Sequence, residues 1–83
     1  MYRFIEDPGH GWLEVTRVEL RELGILGSIS PYSFQAGEMV YLEEDCDAPR
    51  FLDAYKAAHG EAPDYETFNE DPTEIRSFAR FSN

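Results

Sequence analysis

The segment around Thr16-Arg17-Val18-Glu19 constrains the fold more than any other part of this chain. The Thr16 hydroxyl can accept the backbone N–H three residues on, while the Glu19 carboxylate reaches back to the Thr16 N–H, as in a capping box. Val15 and Leu20 stand at the two positions of a hydrophobic staple. Gly24 follows Leu23 as a residue that can turn left-handed and close the helix, and Ile25 can then fold back onto it. Together these signals predict a helix over residues 17–23. A helix of about two turns does not persist alone in water, so its apolar side must be covered by other elements. In a chain of 83 residues, read as one small domain over 1–83, a small sheet is the simplest cover.

Strand candidates lie on both sides of that helix. Tyr2-Arg3-Phe4-Ile5 reads as a short strand, residues 6–11 as a turn, and Trp12 to Val15 as a second strand with Gly11 giving freedom at its start. Residues 32–35 and 38–43, separated by Ala36-Gly37, read as a hairpin. Alternation puts Val40 and Leu42 toward the core and Met39, Tyr41 and Glu43 opposite, which leaves the burial of Tyr41 open. Asp47 is a candidate cap for a second helix, with Pro49 in its first turn and Gly60 as its stop. Phe51, Leu52, Tyr55, Ala58 and His59 mark its packed side.

Residues 61–74 are acidic and weakly patterned, with Tyr65 and Phe68 as the large anchors, and read as a less ordered excursion. The tail admits two readings. Asp71-Pro72-Thr73-Glu74 resembles a helix start that would place Ile75, Phe78 and Ala79 on one face. A short turn followed by extended chain would instead align Ile75 with Phe81, with Arg76, Phe78 and Arg80 opposite; this second reading is preferred. No internal repeat or low-complexity segment is present. The fold class expected is α+β, a small antiparallel sheet of three to four strands packed against two short helices.

Charge limits the function classes. Seventeen acids against seven bases give a net charge of −10. Residues 1–40 carry −3, residues 41–74 carry −9 and the last nine residues +2. Such a field repels nucleic acid and anionic membranes and attracts basic partners. No apolar run is long enough for a signal peptide core or a membrane span. With a single cysteine, Cys46, no internal disulfide can form. A reducing, cytoplasmic setting is the expectation.

Catalytic constellations are missing. Cys46 sits between Asp45 and Asp47, whose carboxylates disfavour a thiolate, and reads as a structural thiol. There is no GxSxG, HExxH or phosphate-binding glycine loop. Glu43, Glu44, Asp45 and Asp47 are dense in oxygen ligands but lack the glycine and closing glutamate of a calcium loop. His10 in its glycine-rich turn reads as locally hydrogen-bonded. The lone Trp12 reads as a core or rim anchor that could also contact a partner. No enzyme activity, metal or cofactor is expected.

The acidic ridge is the remaining feature. Glu43, Glu44, Asp45 and Asp47 cluster at a strand-to-helix junction, and Asp53, Glu61, Asp64 and Glu66 follow. If they share a face, they can occupy an arginine- and lysine-lined channel built for nucleic acid. These carboxylates, with Trp12, are the candidate partner-binding residues.

The stretches Asp7-Pro8-Gly9-His10-Gly11-Trp12-Leu13-Glu14-Val15, Leu23-Gly24-Ile25, Ile29-Ser30-Pro31-Tyr32-Ser33-Phe34 and Val40-Tyr41-Leu42-Glu43-Glu44-Asp45-Cys46-Asp47-Ala48 resemble a family of short proteins of bacteria, phages and plasmids. Ile75-Arg76-Ser77-Phe78 resembles that family's ending, so the likeness covers nearly the whole chain. It transfers no activity and no binding residue. In size and acidity the chain is also similar to anti-CRISPR proteins of mobile elements, several of which look like nucleic-acid mimics. That resemblance implies an inhibitory protein that occludes the basic DNA-binding surface of a CRISPR effector complex. The alternative is a phage or bacterial accessory adaptor that binds another protein through an aromatic patch containing Trp12, Tyr32 and Tyr41, without mimicry.

Overall fold

The computed structural model describes residues 1–71 and 73–83. Its elements in chain order are β1 (Tyr2–Glu6), β2 (Gly11–Thr16), α1 (Arg17–Glu22), β3 (Phe34–Ala36), β4 (Met39–Glu43), α2 (Asp47–His59), β5 (Tyr65–Asn69) and β6 (Ala79–Arg80). Short 3-10 turns occupy Leu26–Ser28 and Glu74–Ser77. The strands form one sheet in the order β5-β1-β2-β4-β3-β6. The protein is α+β, but among the described residues the sheet has six strands instead of three to four. It is also mixed, because β5 runs parallel to β1 while the other pairs are antiparallel.

α1 forms on the signals that predicted it. Thr16 accepts the Glu19 N–H at 3.1 Å, and the Glu19 carboxylate accepts the Thr16 N–H at 2.9 Å. Gly24 takes φ 75°, and the Ile25 N–H donates back to the Leu20 carbonyl at 2.9 Å. The hairpin also forms where expected, with Gly37 at φ 60° between β3 and β4.

Both faces of the sheet are covered, for a reason that period-two alternation makes plain. Leu13, Val15, Val40 and Leu42 point to the face that carries α1 and α2, where they pack with Leu20, Phe51 and Phe81. Trp12 and Tyr41 point the other way and pack with Ile5 and Ile75, against Phe34 and Phe78. Tyr41, left open by its spacing, is buried in this second core. Burial, and then the nearby Glu14 carboxylate, push its phenol up to about 12.

The tail follows the turn-then-extended reading, with two differences in detail. Thr73, not Asp71, caps the 3-10 turn by accepting the Ile75 N–H at 3.3 Å; Pro72, part of the expected helix start, lies outside the described residues. Ile75 and Phe81 do not share a face. They lie in the two different cores, because the turn between them breaks the strand alternation.

Four other readings change. Residues 65–69, taken as part of an irregular excursion, form strand β5 against β1. In α2 the cap position belongs to Cys46, whose side chain makes no capping bond, and Asp47 lies inside the helix. Ala58 and His59 are exposed instead of packed, because α2 meets the sheet mainly through its first two turns, at Ala48 and Phe51. Gly11 also has a different role. A Cβ there would lie 2.4 Å from Phe4 Cζ, so glycine provides room for that ring and not backbone freedom. Among the described residues, no helix is long and apolar enough to cross a membrane.

Candidate functional site

The four acids of residues 43–47 do not form one face. Glu43, the last residue of β4, points to the Trp12 side of the sheet and lines a cleft there. The next residue, Glu44, lines a hollow on the helix side with Phe4, Leu52 and Tyr65. Asp45 is exposed, and its N–H donates to the Glu43 carboxylate at 3.0 Å.

Asp47 is wholly buried, which removes it from the candidate partner-binding set. Its carboxylate accepts the Ser33 hydroxyl at 2.6 Å, the Ser30 hydroxyl at 2.7 Å and the Ser30 N–H at 3.1 Å. The Ser33 Oγ in turn accepts the Glu43 N–H at 3.0 Å. Asp47 thus joins the 30–33 loop to the end of β4, and its charge-assisted bonds serve folding.

Trp12 is the core anchor that its first reading gave, at 2 % exposed, and could meet a partner only from within a cleft. It forms the floor of a cleft of about 450 Å³ whose other walls include His10, Tyr32, Phe34, Arg76 and Arg80. His10 and Phe34 ring centroids lie 6.0 and 6.2 Å from that of Trp12. The Arg76 guanidinium sits 5.4 Å over the Trp12 ring and that of Arg80 sits 5.0 Å over Phe34. Tyr32 is 65 % exposed at the mouth. Phe34, Arg76 and Arg80 escaped the sequence reading as a group, since only the β3–β6 pairing sets Phe34 opposite Arg80. No local spacing carries that information.

Arg76 holds the tail to the β1–β2 turn. Its Nε and one terminal nitrogen donate to the two Asp7 oxygens at 2.6 and 2.9 Å, a bidentate pair. That bond, aided by the Gly9 and His10 N–H groups, holds the Asp7 carboxyl well below the usual carboxylate range. A depressed folded-state pKa contributes stability above the unfolded value of about 4, and this is lost as pH falls through the folded value. The thermal midpoint of the native chain is therefore expected to fall below about pH 4, and that of Asp7→Asn to be lower at neutral pH and flatter in acid. Parallel acid limbs in calorimetric scans from pH 7 to pH 2 would show that this pair does not set the acid response.

The exposed acids gather elsewhere. Asp53 lies on the exposed side of α2, and Glu61, Asp64 and Glu66 are all exposed. Glu61 and Asp64 lie in the segment entering β5, and Glu66 lies within it. At the far end of β5, Glu6, Asn69, Glu70 and Asp71 line an open acidic hollow. Between Lys56 and Arg76 the chain has no lysine or arginine. Among the described residues, only Asp7, Glu14 and Asp47 have a basic side chain within 4.0 Å. The acidic surface therefore centres on β5 and its flanks, with Glu43 and Asp45 separate from it. Among the described residues, no group of three His, Cys, Asp or Glu side chains is placed to hold a metal ion.

Comparisons with family models, with curated proteins and with solved structures find no match for this chain.

Proposed function

We propose that the protein is an acidic, non-catalytic binding module that occupies a basic surface of a partner, one that otherwise holds nucleic acid. The most specific form of this reading is an anti-CRISPR protein that blocks DNA entry to an effector complex. The observation that carries the binding reading is the set of exposed carboxylates Glu61, Asp64, Glu66 and Asp71 within and flanking the edge strand β5, none of which has an ion-pair partner among the described residues. Opposite charge speeds encounter and orients docking, while well-paired contacts slow release.

The test is binding to a purified CRISPR effector complex, with and without its target DNA. Affinity is expected to fall about tenfold or more as salt rises from about 50 to about 300 mM, because exposed charge pairs are screened. Target DNA should compete, and charge reversal at Glu61, Asp64 and Glu66 should abolish binding. Binding that ignores salt, DNA and these reversals would overturn the mimicry. It would favour the second reading, an adaptor that engages a protein through the aromatic cleft. Tyr32, exposed over the floor of Trp12 and Phe34, supports that alternative. Tyr41 cannot belong to such a patch, because it is buried.

A further inference from the structure

β5 ends the sheet order, and no strand among the described residues pairs with its outer side. The inner side is accounted for. The Tyr2 N–H donates to the Asp64 carbonyl at 3.1 Å, and the Glu70 N–H donates to the Glu6 carbonyl at 2.8 Å. With the register Tyr2↔Tyr65 to Glu6↔Asn69, these bonds turn the backbone of Glu66 and Phe68 toward β1. Alternation then turns the N–H and C=O groups of Tyr65, Thr67 and Asn69 outward. All three residues are exposed. A free edge of this kind is a template for one more strand.

Charge decides what can use it. Asp64, Glu66, Glu70 and Asp71 stand along or beside the edge, and no lysine or arginine lies between Lys56 and Arg76. The Arg3 guanidinium on β1 sits 5.2 Å over the Phe68 ring, away from the outer edge. A second copy of this chain, also at −10, would bring like charges together. The carboxylates thus protect the edge from self-pairing and leave it open to a strand of opposite charge. We propose that β5 is the docking element, and that it takes an extended lysine- or arginine-bearing segment of a protein partner as a seventh strand. This rests on the acidic-module reading and adds to it a defined mode, main-chain pairing to Tyr65, Thr67 and Asn69.

The probe is a ten-residue peptide of alternating lysine and valine, with a peptide of equal charge made from lysine, glycine and proline as control. On the native chain, the Tyr65, Thr67 and Asn69 amides are expected to gain at least tenfold protection from hydrogen exchange with the first peptide and none with the control. Thr67→Pro deletes an outward N–H and leaves the bonds to β1 in place, as proline at a sheet edge permits. It should keep the native fold by circular dichroism and weaken the strand peptide at least tenfold. Asp64→Lys with Glu66→Lys should weaken both peptides.

Equal protection by both peptides, or none by either, would overturn the docking mode, and so would an unchanged affinity in a folded Thr67→Pro. If the double charge reversal still weakened binding in those cases, the acidic-module reading would stand without β5 pairing. If it had no effect, both readings would fall. Should Thr67→Pro not fold, the exchange pattern on the native chain decides alone.

Discussion

Asp47→Ala is expected to cost about 3–5 kcal/mol of folding stability, the range for leaving buried partners of a charged group unpaired. For a domain of this size that lowers the thermal midpoint by roughly 15–30 °C. The reason lies in what Asp47 gathers. Ser30 offers its N–H and hydroxyl, and Ser33 its hydroxyl, all to a carboxylate with no solvent exposure. Removing the carboxylate strands these donors in the interior, where each unmet polar group costs about 1–3 kcal/mol. The effect should spread beyond the loop. Ser33 also receives the Glu43 N–H on its hydroxyl and the Phe81 N–H on its carbonyl, so β4 and the tail both depend on its position. Asp47→Asn keeps the shape and one acceptor oxygen and should lose less than the alanine variant. Urea titrations followed by circular dichroism check the series. A midpoint for Asp47→Ala close to that of the native chain would mean that the serines find other partners.

Trp12 gives the second large effect, and two substitutions separate its contributions. Trp12→Ala empties the centre of the core opposite the helices and is expected to cost about 3–5 kcal/mol. It also removes the ring beneath the Arg76 guanidinium and beside Phe34. Trp12→Phe should cost much less, about 1 kcal/mol, although it too removes buried ring. Among the described residues the indole Nε1–H is buried with no acceptor. Deleting a donor that already lacks a partner returns part of the packing loss. Because Trp12 is the sole tryptophan, unfolding is followed by far-ultraviolet circular dichroism instead of fluorescence. Equal losses for Phe and Ala would show that indole size, and not the unmet donor, governs this position.

Parts of this structure were legible because their causes are local. Thr16, Glu19 and Gly24 act within a few residues of one another, and α1 formed as they dictate. The same holds for the glycine in the β3–β4 turn, for Gly60 at the end of α2 and for the alternation that buries Val40 and Leu42. The edge strands were harder to read. Tyr65-Glu66-Thr67-Phe68-Asn69 carries weak β-prone spacing interrupted by charge, and it becomes a strand because β1 offers a pairing edge. β6 has only two residues and depends on β3 in the same way.

The candidate site divides along the same line. That the chain is acidic, and that the excess falls between residues 41 and 74, is written in its composition. Which carboxylates face a partner is not. Asp47 and Asp53 read alike as acids of one helix, yet the first is sealed beneath two serines and the second is exposed. Glu43 and Glu44 are adjacent and line hollows on opposite faces. Sequence alone determined the elements held by contacts within one turn of chain, the total charge and the pattern of the central strands. Only the tertiary structure decided the two-sided sheet, the burial of Asp47 and Trp12, and the free acidic edge at β5. Those depend on pairs such as Asp7 with Arg76, far apart in the chain, whose meeting is set by packing that no local spacing encodes.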